Sequence, residues 1–321
     1  MSSTDAPIVT VENFVRAETD RYFGNTARGA GLARFVHRRE LTGIERQPVI
    51  RMNRDTLYSA AVFDLDAGPV TIALPEAGNR YLSLQVVSQD HHTPLVAHGA
   101  GPHRFDRETV GTRYAMASIR TLVDPADPAD LARAHALQDA IAVTQAGEGR
   151  FEAPGWDRGS QQTVRAALLT LAETLPDFTR VFGTRAEVDP IRHLLGAAAA
   201  WGGLPEWEAI YLNVTPAQND GTTVHRLDVG AVPVDGFWSI SVYNAGGYFE
   251  PNPEGAYSIN SITARRGADG GIPVQFGGAA DGATNVLPIV SGWNYMVRLY
   301  RPRPEVLSGA WRFPQARPVG G

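Results

Sequence analysis

Apolar and polar residues change their period twice along this chain. Val11, Phe14, Val15 and Ala17 recur at helical spacing through Tyr22 and Phe23, with Thr10 or Asn13 placed to cap, which predicts an opening helix. Gly24, Gly29 and Gly31 interrupt it, and residues 32–39 are expected to form a second, short helix. From Leu57 to Val123 the period is that of strands. Residues 58–65, 70–74, 80–88, 103–106 and 113–122 are rich in Val, Ile, Tyr and Phe, and Gly/Pro turns separate them. Helices return over residues 130–141, 161–175 and 190–200, where Leu131, Ala134, Leu137 and Ile141, then Val164, Leu168 and Leu171, repeat at three and four. Strands resume over 224–229, 237–243, 257–259, 272–276 and 295–300. Short strands at this spacing predict antiparallel sandwiches or barrels, so the expected class is mainly β with helices (α+β). The expected organisation is a β unit over residues 10–145, a helical connecting segment over 146–205 and a second β unit over 206–316.

Composition narrows the chemistry. The 321 residues are 43% hydrophobic, enough to bury a sizeable core, and the net charge of −5 gives no electrostatic reason to bind nucleic acid or an anionic membrane. There is no cysteine, and all 29 basic residues are arginine. Thiolate nucleophiles, cysteine-held metals, Schiff bases and the P-loop lysine are therefore excluded. The opening M-S-S-T-D-A-P-I-V-T lacks the basic and apolar regions of a signal peptide, and no run reaches the ~18 apolar residues of a membrane span, so a cytoplasmic protein is expected. No G-x-G-x-x-G after a strand, Walker loop, G-x-S-x-G or H-E-x-x-H occurs, and no organic cofactor is expected.

Against that background, residues 51–59 stand out: R-M-N-R-D-T-L-Y-S carries Arg51, Asn53, Arg54, Asp55 and Tyr58 directly before the apolar Ala60-Ala61-Val62-Phe63. Polar groups delivered to the mouth of a strand suit a binding or catalytic site, and equally suit a buried Arg–Asp network holding a turn. An aspartate between two arginines is expected to stay ionised. Four of the eight histidines lie within thirteen residues, His91, His92, His98 and His103, with Asp90 before the first. Their spacing fits no standard zinc motif. His91 beside Asp90 is the candidate acid–base pair, against turn and rim histidines as the bland alternative. Late in the chain, Phe237, Ser239, Ser241 and Tyr243 share one face of a strand, and Asn294, Met296, Arg298 and Tyr300 share a face of another. Such a face is either solvent-exposed or pocket-lining, and exposure is the expectation.

The ordered runs R-M-N-R-D-T-L-Y-S, D-L-D-A-G-P-V and R-Y-L-S-L-Q-V, then I-Y-L-N-V-T-P, V-D-G-F-W-S-I-S-V-Y-N and G-W-N-Y-M-V-R-L-Y-R-P-R, resemble a bacterial family of two tandem domains of unknown function, 1254 and 1214. The resemblance implies two jelly-roll-like antiparallel β-sandwich units with helices between and around them, often as homo-oligomers. It carries over no catalytic residue. The functional expectation is a small-molecule enzyme without organic cofactor (hydrolase, lyase or isomerase) whose pocket lies between the two β units, with a metal-assisted variant held open. His91 or Tyr58 would move the proton, and Asp55 or Asp90 would orient the base. Arg51, Asn53, Arg54, Tyr243, Arg298 and Tyr300 would bind a carboxylate-bearing ligand. The alternative is a non-catalytic binding or assembly protein.

Overall fold

The computed structural model describes residues 6–47, 49–279 and 282–319. Residues 1–5, part of the segment read above for a leader, lie outside the described residues. The protein is α+β, with six α-helices among the described residues. It divides into two compact units. The first is Met1–Arg39, Leu57–Leu122 and Pro128–Glu206; the second is Glu40–Thr56, Val123–Asp127 and Trp207–Gly321.

In the first unit, strands β1 (Val36–His37), β2 (Thr56–Asp64), β7 (Tyr114–Leu122), β4 (Leu82–Ser88) and β5 (Leu95–His98) form one sheet in that spatial order. Strands β6 (Gly101–Phe105), β3 (Val70–Leu74) and β8 (Ala142–Thr144) form a second. Alternate residues of both sheets meet in one apolar cluster, with Ala61, Phe63, Leu84, Val86, Ala117 and Ile119 from the larger and Val70, Ile72, Leu74 and Phe105 from the smaller. Helices α2 (Arg107–Val110) and α3 (Pro128–Asp139) flank these strands. Helices α1 (Phe14–Ala30), α4 (Arg158–Ala172) and α5 (Pro190–Ala199) pack on one another around Phe14, Ala17, Leu168, Leu195 and Ala198. Asp157 caps α4 through Ser160 N, and Asp189 caps α5, whose first position is Pro190.

Residues 32–39 do not form a helix. Gly31 ends α1 at φ 85°, Ala33 stands at φ 56°, and Val36 and His37 pair with Ala60 and Ser59. Tertiary pairing of a β-branched and an aromatic residue outweighs the weak helical pattern.

In the second unit, β12 (Ser258–Asn260), β11 (Trp238–Tyr243), β15 (Asn294–Tyr300) and β9 (Ala209–Val214) form one sheet. Strands β14 (Val286–Leu287), β13 (Ile272–Phe276), β10 (His225–Val229) and β16 (Arg317–Pro318) form the other, and α6 (Pro304–Leu307) follows β15. Trp238, Ile240, Val242, Tyr295, Val297 and Leu299 point from the first sheet into a core shared with Leu227, Val229, Ile272, Val274 and Phe276 of the second. No helix among the described residues is long and apolar enough to cross a membrane.

Packing is tight where α5 meets the loop before it. A Cβ on Gly196 would lie 2.1 Å from Val181 Cγ1. Gly196→Ala is expected to cost about 1–3 kcal/mol despite the better helix propensity of alanine, read as a lower urea midpoint. An unchanged midpoint would show that Val181 yields freely.

Candidate functional site

The R-M-N-R-D segment belongs to the second unit, together with Tyr243, Arg298 and Tyr300. There the register sets Ser239 opposite Arg298, Ser241 opposite Met296 and Tyr243 opposite Asn294. Asn260 flanks Ser239 from β12, and Tyr211 flanks Arg298 from β9. These residues share the face that does not enter the unit's main core, as alternation predicts. The expected exposure of that face is overturned: Ser239, Ser241, Tyr243, Asn294, Met296, Arg298 and Tyr300 are all buried. Ile44 and Met52, from a segment some two hundred residues earlier, pack with Tyr243, Phe249 and Met296.

Arg298 is the centre of this polar layer. Its Nη1 donates to Ser241 Oγ at 2.9 Å. Its Nη2 donates to the carbonyl oxygens of Arg51 and Met52 at 2.8 and 3.2 Å and to the Tyr243 hydroxyl at 2.8 Å. Tyr243 passes its own proton to the Met52 carbonyl at 2.8 Å. Burial opposes the charge on Arg298, but Tyr243, Tyr300 and Asp55 outweigh it and hold the guanidinium protonated well above its ordinary value. The arginine thereby ties residues 51 and 52 to the sheet through main-chain oxygens, which a lysine ammonium cannot reach in the same forked geometry.

Asp55 is completely buried. Neither neighbouring arginine in sequence pairs with it. Arg51 donates to Asn294 Oδ1 at 2.8 Å, and Arg54 donates to the Thr42 carbonyl. Asn260 Nδ2 donates to Asp55 Oδ1 at 3.1 Å, while Asp55 Oδ2 and Ser239 Oγ are both buried without a hydrogen-bond partner. Burial raises the Asp55 pKa above the usual 3.8, and Arg298, Ser239, Asn260 and Arg54 pull it back only in part. The Ser239 hydroxyl acts on this carboxyl without meeting hydrogen-bond geometry. The arginines beside it in sequence aim elsewhere, so desolvation dominates and the Asp55 pKa moves up, not down as flanking arginines alone would move it.

The rest of the segment lies at the edge of this layer. Arg51 is half-buried at φ 53°, a left-handed conformation uncommon for a side-chain-bearing residue. Its N–H donates to Gly247 O at 2.7 Å. Burial, with repulsion from Arg298, lowers the Arg51 pKa. Asn53 accepts from the Asp55 N–H at 2.6 Å and donates to the Tyr300 hydroxyl at 3.1 Å. The Arg54 guanidinium sits 5.3 Å from the Tyr257 ring centre. Beside Tyr243 and Tyr257, a cleft of ≈ 30 Å³ is lined also by Asn244, Glu250, Pro251 and Pro288.

Asp90, His91 and Tyr58 belong to the first unit. Strand β4 ends at Ser88, and residues 89–91 turn, with His91 at φ 62°. The Asp90 carboxylate pairs with Arg16 and not with His91. His91 Nε2 accepts from Gly202 N–H at 2.8 Å, and its Nδ1 is buried without a partner. Burial, then His193 and His92, push the His91 pKa well below 6.5. Burial and His193 lower His92 to about 4. His193, absent from the sequence reading, lies 5.4 Å from His91 and 4.7 Å from His92 between ring centres. Its two ring nitrogens face the carbonyl oxygens of Val181 and Asp90, and a neutral ring can donate to only one of them. Tyr58 lies under the Arg120 guanidinium, 5.6 Å from ring centre to Cζ. No group of three or more His, Asp or Glu side chains among the described residues is arranged to hold a metal ion. Asn260 and Arg120 were also missed; the signal for Arg120 was a charged residue inside the mostly apolar strand Y-A-M-A-S-I-R-T-L.

Fold and polar layer together define a tandem α+β protein whose units each carry two sheets. Residues 32–103 match the family model "protein of unknown function (DUF1254)", and residues 209–304 match "protein of unknown function (DUF1214)", so the chain carries the two regions in the order its motifs implied. A crystal structure of a Vibrio parahaemolyticus protein superimposes with a TM-score of 0.71 at 17% identity, covering 96% of this chain and 97% of that one. An uncharacterized Burkholderia cenocepacia protein gives a TM-score of 0.55 at 17% identity, covering 99% and 91%. Both likenesses speak to the fold alone. No curated protein matches the chain.

Proposed function

We propose that the polar layer of the second unit is the site of a small-molecule enzyme that works without organic cofactor, as a hydrolase, lyase or isomerase, with Asp55 as its proton carrier. The observation that carries this reading is the pair of buried, unpartnered atoms Asp55 Oδ2 and Ser239 Oγ beside the Arg298 guanidinium. Buried polar atoms without partners mark places where a ligand or water completes the bonding. A carboxyl whose pKa burial raises can hold and release a proton closer to neutrality than a surface aspartate. Arg51, half-exposed and held by Asn294, is the cation for a carboxylate-bearing substrate, with Arg54 beside it. Asn53 and Tyr300 position the segment, and Tyr243 and Arg298 anchor it. The proton-carrier role, expected from sequence for His91 or Tyr58 with Asp55 or Asp90 as orienter, is here given to Asp55. His91 is buried and held neutral, and its Nε2 already serves Gly202. Asp55 is fully covered, so substrate reaches it only when the groups packed over it move.

Each unit is taken as jelly-roll-like, supported by its two facing sheets, and the protein as a cytoplasmic homo-oligomer with neither nucleic acid nor membrane as partner. A second reading, ligand binding or assembly without catalysis, is favoured by two observations. Arg298 gives its Nη donors to protein groups, and the cleft beside Tyr243, at ≈ 30 Å³, has room for no more than a water or two.

The test is turnover of 4-nitrophenyl acetate, together with deuterium exchange at the α-carbon of small keto acids followed by proton NMR. Asp55→Asn, checked for an unchanged fold by circular dichroism, is expected to lower whichever rate is found by about 100-fold. Equal rates in both proteins, or none in either, would hand the site to the second reading.

A further inference from the structure

The two units repeat one strand order. The first has β2-β7-β4-β5 in one sheet and β6-β3-β8 in the other; the second has β9-β15-β11-β12 and β13-β10-β16. The lists coincide when β2 to β6 are read as β9 to β13, β7 as β15 and β8 as β16. Strands β1 and β14 are edge additions.

Register repeats as well. Ser83 faces Arg120 on one side and His98 on the other; Ser239 faces Arg298 and Asn260. Leu84 lies between Ile119 and Ala97, as Ile240 lies between Val297 and Ile259. The bonds beyond the strand ends agree too. Leu122 N donates to Tyr81 O at 3.0 Å, and Tyr300 N to Phe237 O at 2.8 Å. Val123 N donates to Asp55 O at 3.1 Å, and Arg301 N to Glu208 O at 2.8 Å. These pairs hold the same offset from Arg120 and Arg298.

The side chains follow the backbone. In each unit the arginine Nη1 donates to the residue two places after the serine: Gln85 Oε1 at 2.8 Å, Ser241 Oγ at 2.9 Å. In each, Nη2 donates to main-chain oxygen: Gly202 O at 2.9 Å, Arg51 O at 2.8 Å. Both arginines are buried. Both serines are fully buried, and Oγ of each is without a hydrogen-bond partner among the described residues.

We propose that the chain is a duplication of one β module, and that Ser83 and Arg120, with His98 in the place of Asn260, form in the first unit a second carboxylate seat equivalent to the one Ser239, Arg298 and Asn260 form beside Asp55. A carboxylate beside a buried guanidinium offsets part of its desolvation, and a serine hydroxyl one strand away supplies the second donor that a carboxylate takes. The seat is specific to a carboxylate, whether it comes from an Asp or Glu of the chain or from a free small acid. The inference rests on register and burial, and stands or falls separately from the acid–base role of Asp55.

The test uses the intact wild-type protein, labelled with ¹³C and ¹⁵N, in a carboxylate-free buffer. A through-hydrogen-bond correlation from an Arg120 guanidinium nitrogen to an Asp or Glu carboxylate carbon supports the seat with a carboxylate from the chain. A saturable shift of the Arg120 guanidinium resonances on adding acetate supports it with a free acid. Neither signal, with the Arg120 resonances assigned and unmoved by acetate, overturns it.

Discussion

Arg298→Ala is expected to destabilise the protein by about 3–5 kcal/mol, the range for removing one partner from a buried charged network. The guanidinium has four protein acceptors: Ser241 Oγ, the Arg51 and Met52 carbonyl oxygens and the Tyr243 hydroxyl. Alanine leaves all four buried acceptors without this donor, and each such loss costs about 1–3 kcal/mol where no new partner is found. It also removes the group that does most to offset charge on Asp55, leaving Arg54 as the remaining cation. Arg298→Lys should recover only part of the loss, because an ammonium cannot span Ser241 and residues 51–52 with a planar fork. Urea denaturation at pH 7 measures both. A loss under 1 kcal/mol for the alanine variant would mean that the segment carrying residues 51–55 is held by its apolar contacts alone.

Acid should weaken the first unit through His91, over the pH range below the ordinary histidine pKa of 6.5. The folded-state pKa of His91 is depressed, so the folded ring stays neutral while the unfolded ring takes a proton. Its contribution is complete above pH 6.5 and declines as pH falls through the window between the two values. For a ring that remains neutral when folded, the loss reaches about 2 kcal/mol by pH 5. Protonation would also turn Nε2 from an acceptor into a donor facing the Gly202 N–H. His92, with a folded value near 4, adds to the same slope, reduced by its partial exposure. His193, Asp90 and Arg185 face this pair and set its field. Asp20 and Asp55 act oppositely: their raised folded pKa values favour the folded state as pH falls towards 3.8. His91→Gln should therefore flatten the fall in urea stability between pH 7 and pH 5. Parallel curves for wild type and variant would remove His91 as the cause.

Alternation was sufficient to find V-T-I-A-L and I-P-V-Q-F as strands to the residue, because each is bounded by turn residues and half its side chains are apolar. It could not find Leu95–His98 or Ala142–Thr144, whose extended form depends on partners elsewhere in the chain. The polar faces of residues 237–243 and 294–300 were also legible, but not their cover. A pattern of period two says which residues share a face; it cannot say that Arg298 meets Arg51, 247 positions away. The same limit explains Asp55, whose sequence neighbours suggested ion pairs that the backbone directs elsewhere. The repeat was hidden for a different reason. Y-L-S-L-Q-V and F-W-S-I-S-V share little beyond serine and valine, and only the paired arginine on another strand makes the serine meaningful.

The state of one carboxyl separates a proton-transfer site from a structural anchor. Titration of the Asp55 side-chain carboxyl carbon by ¹³C NMR, in the wild-type protein, measures it directly. The predicted midpoint lies above the ordinary aspartate value of 3.8, as burial dictates. A midpoint at or below 3.8 would show an aspartate held ionised by Arg298, leaving the layer as an anchor for residues 51–55 and not as a proton-transfer site.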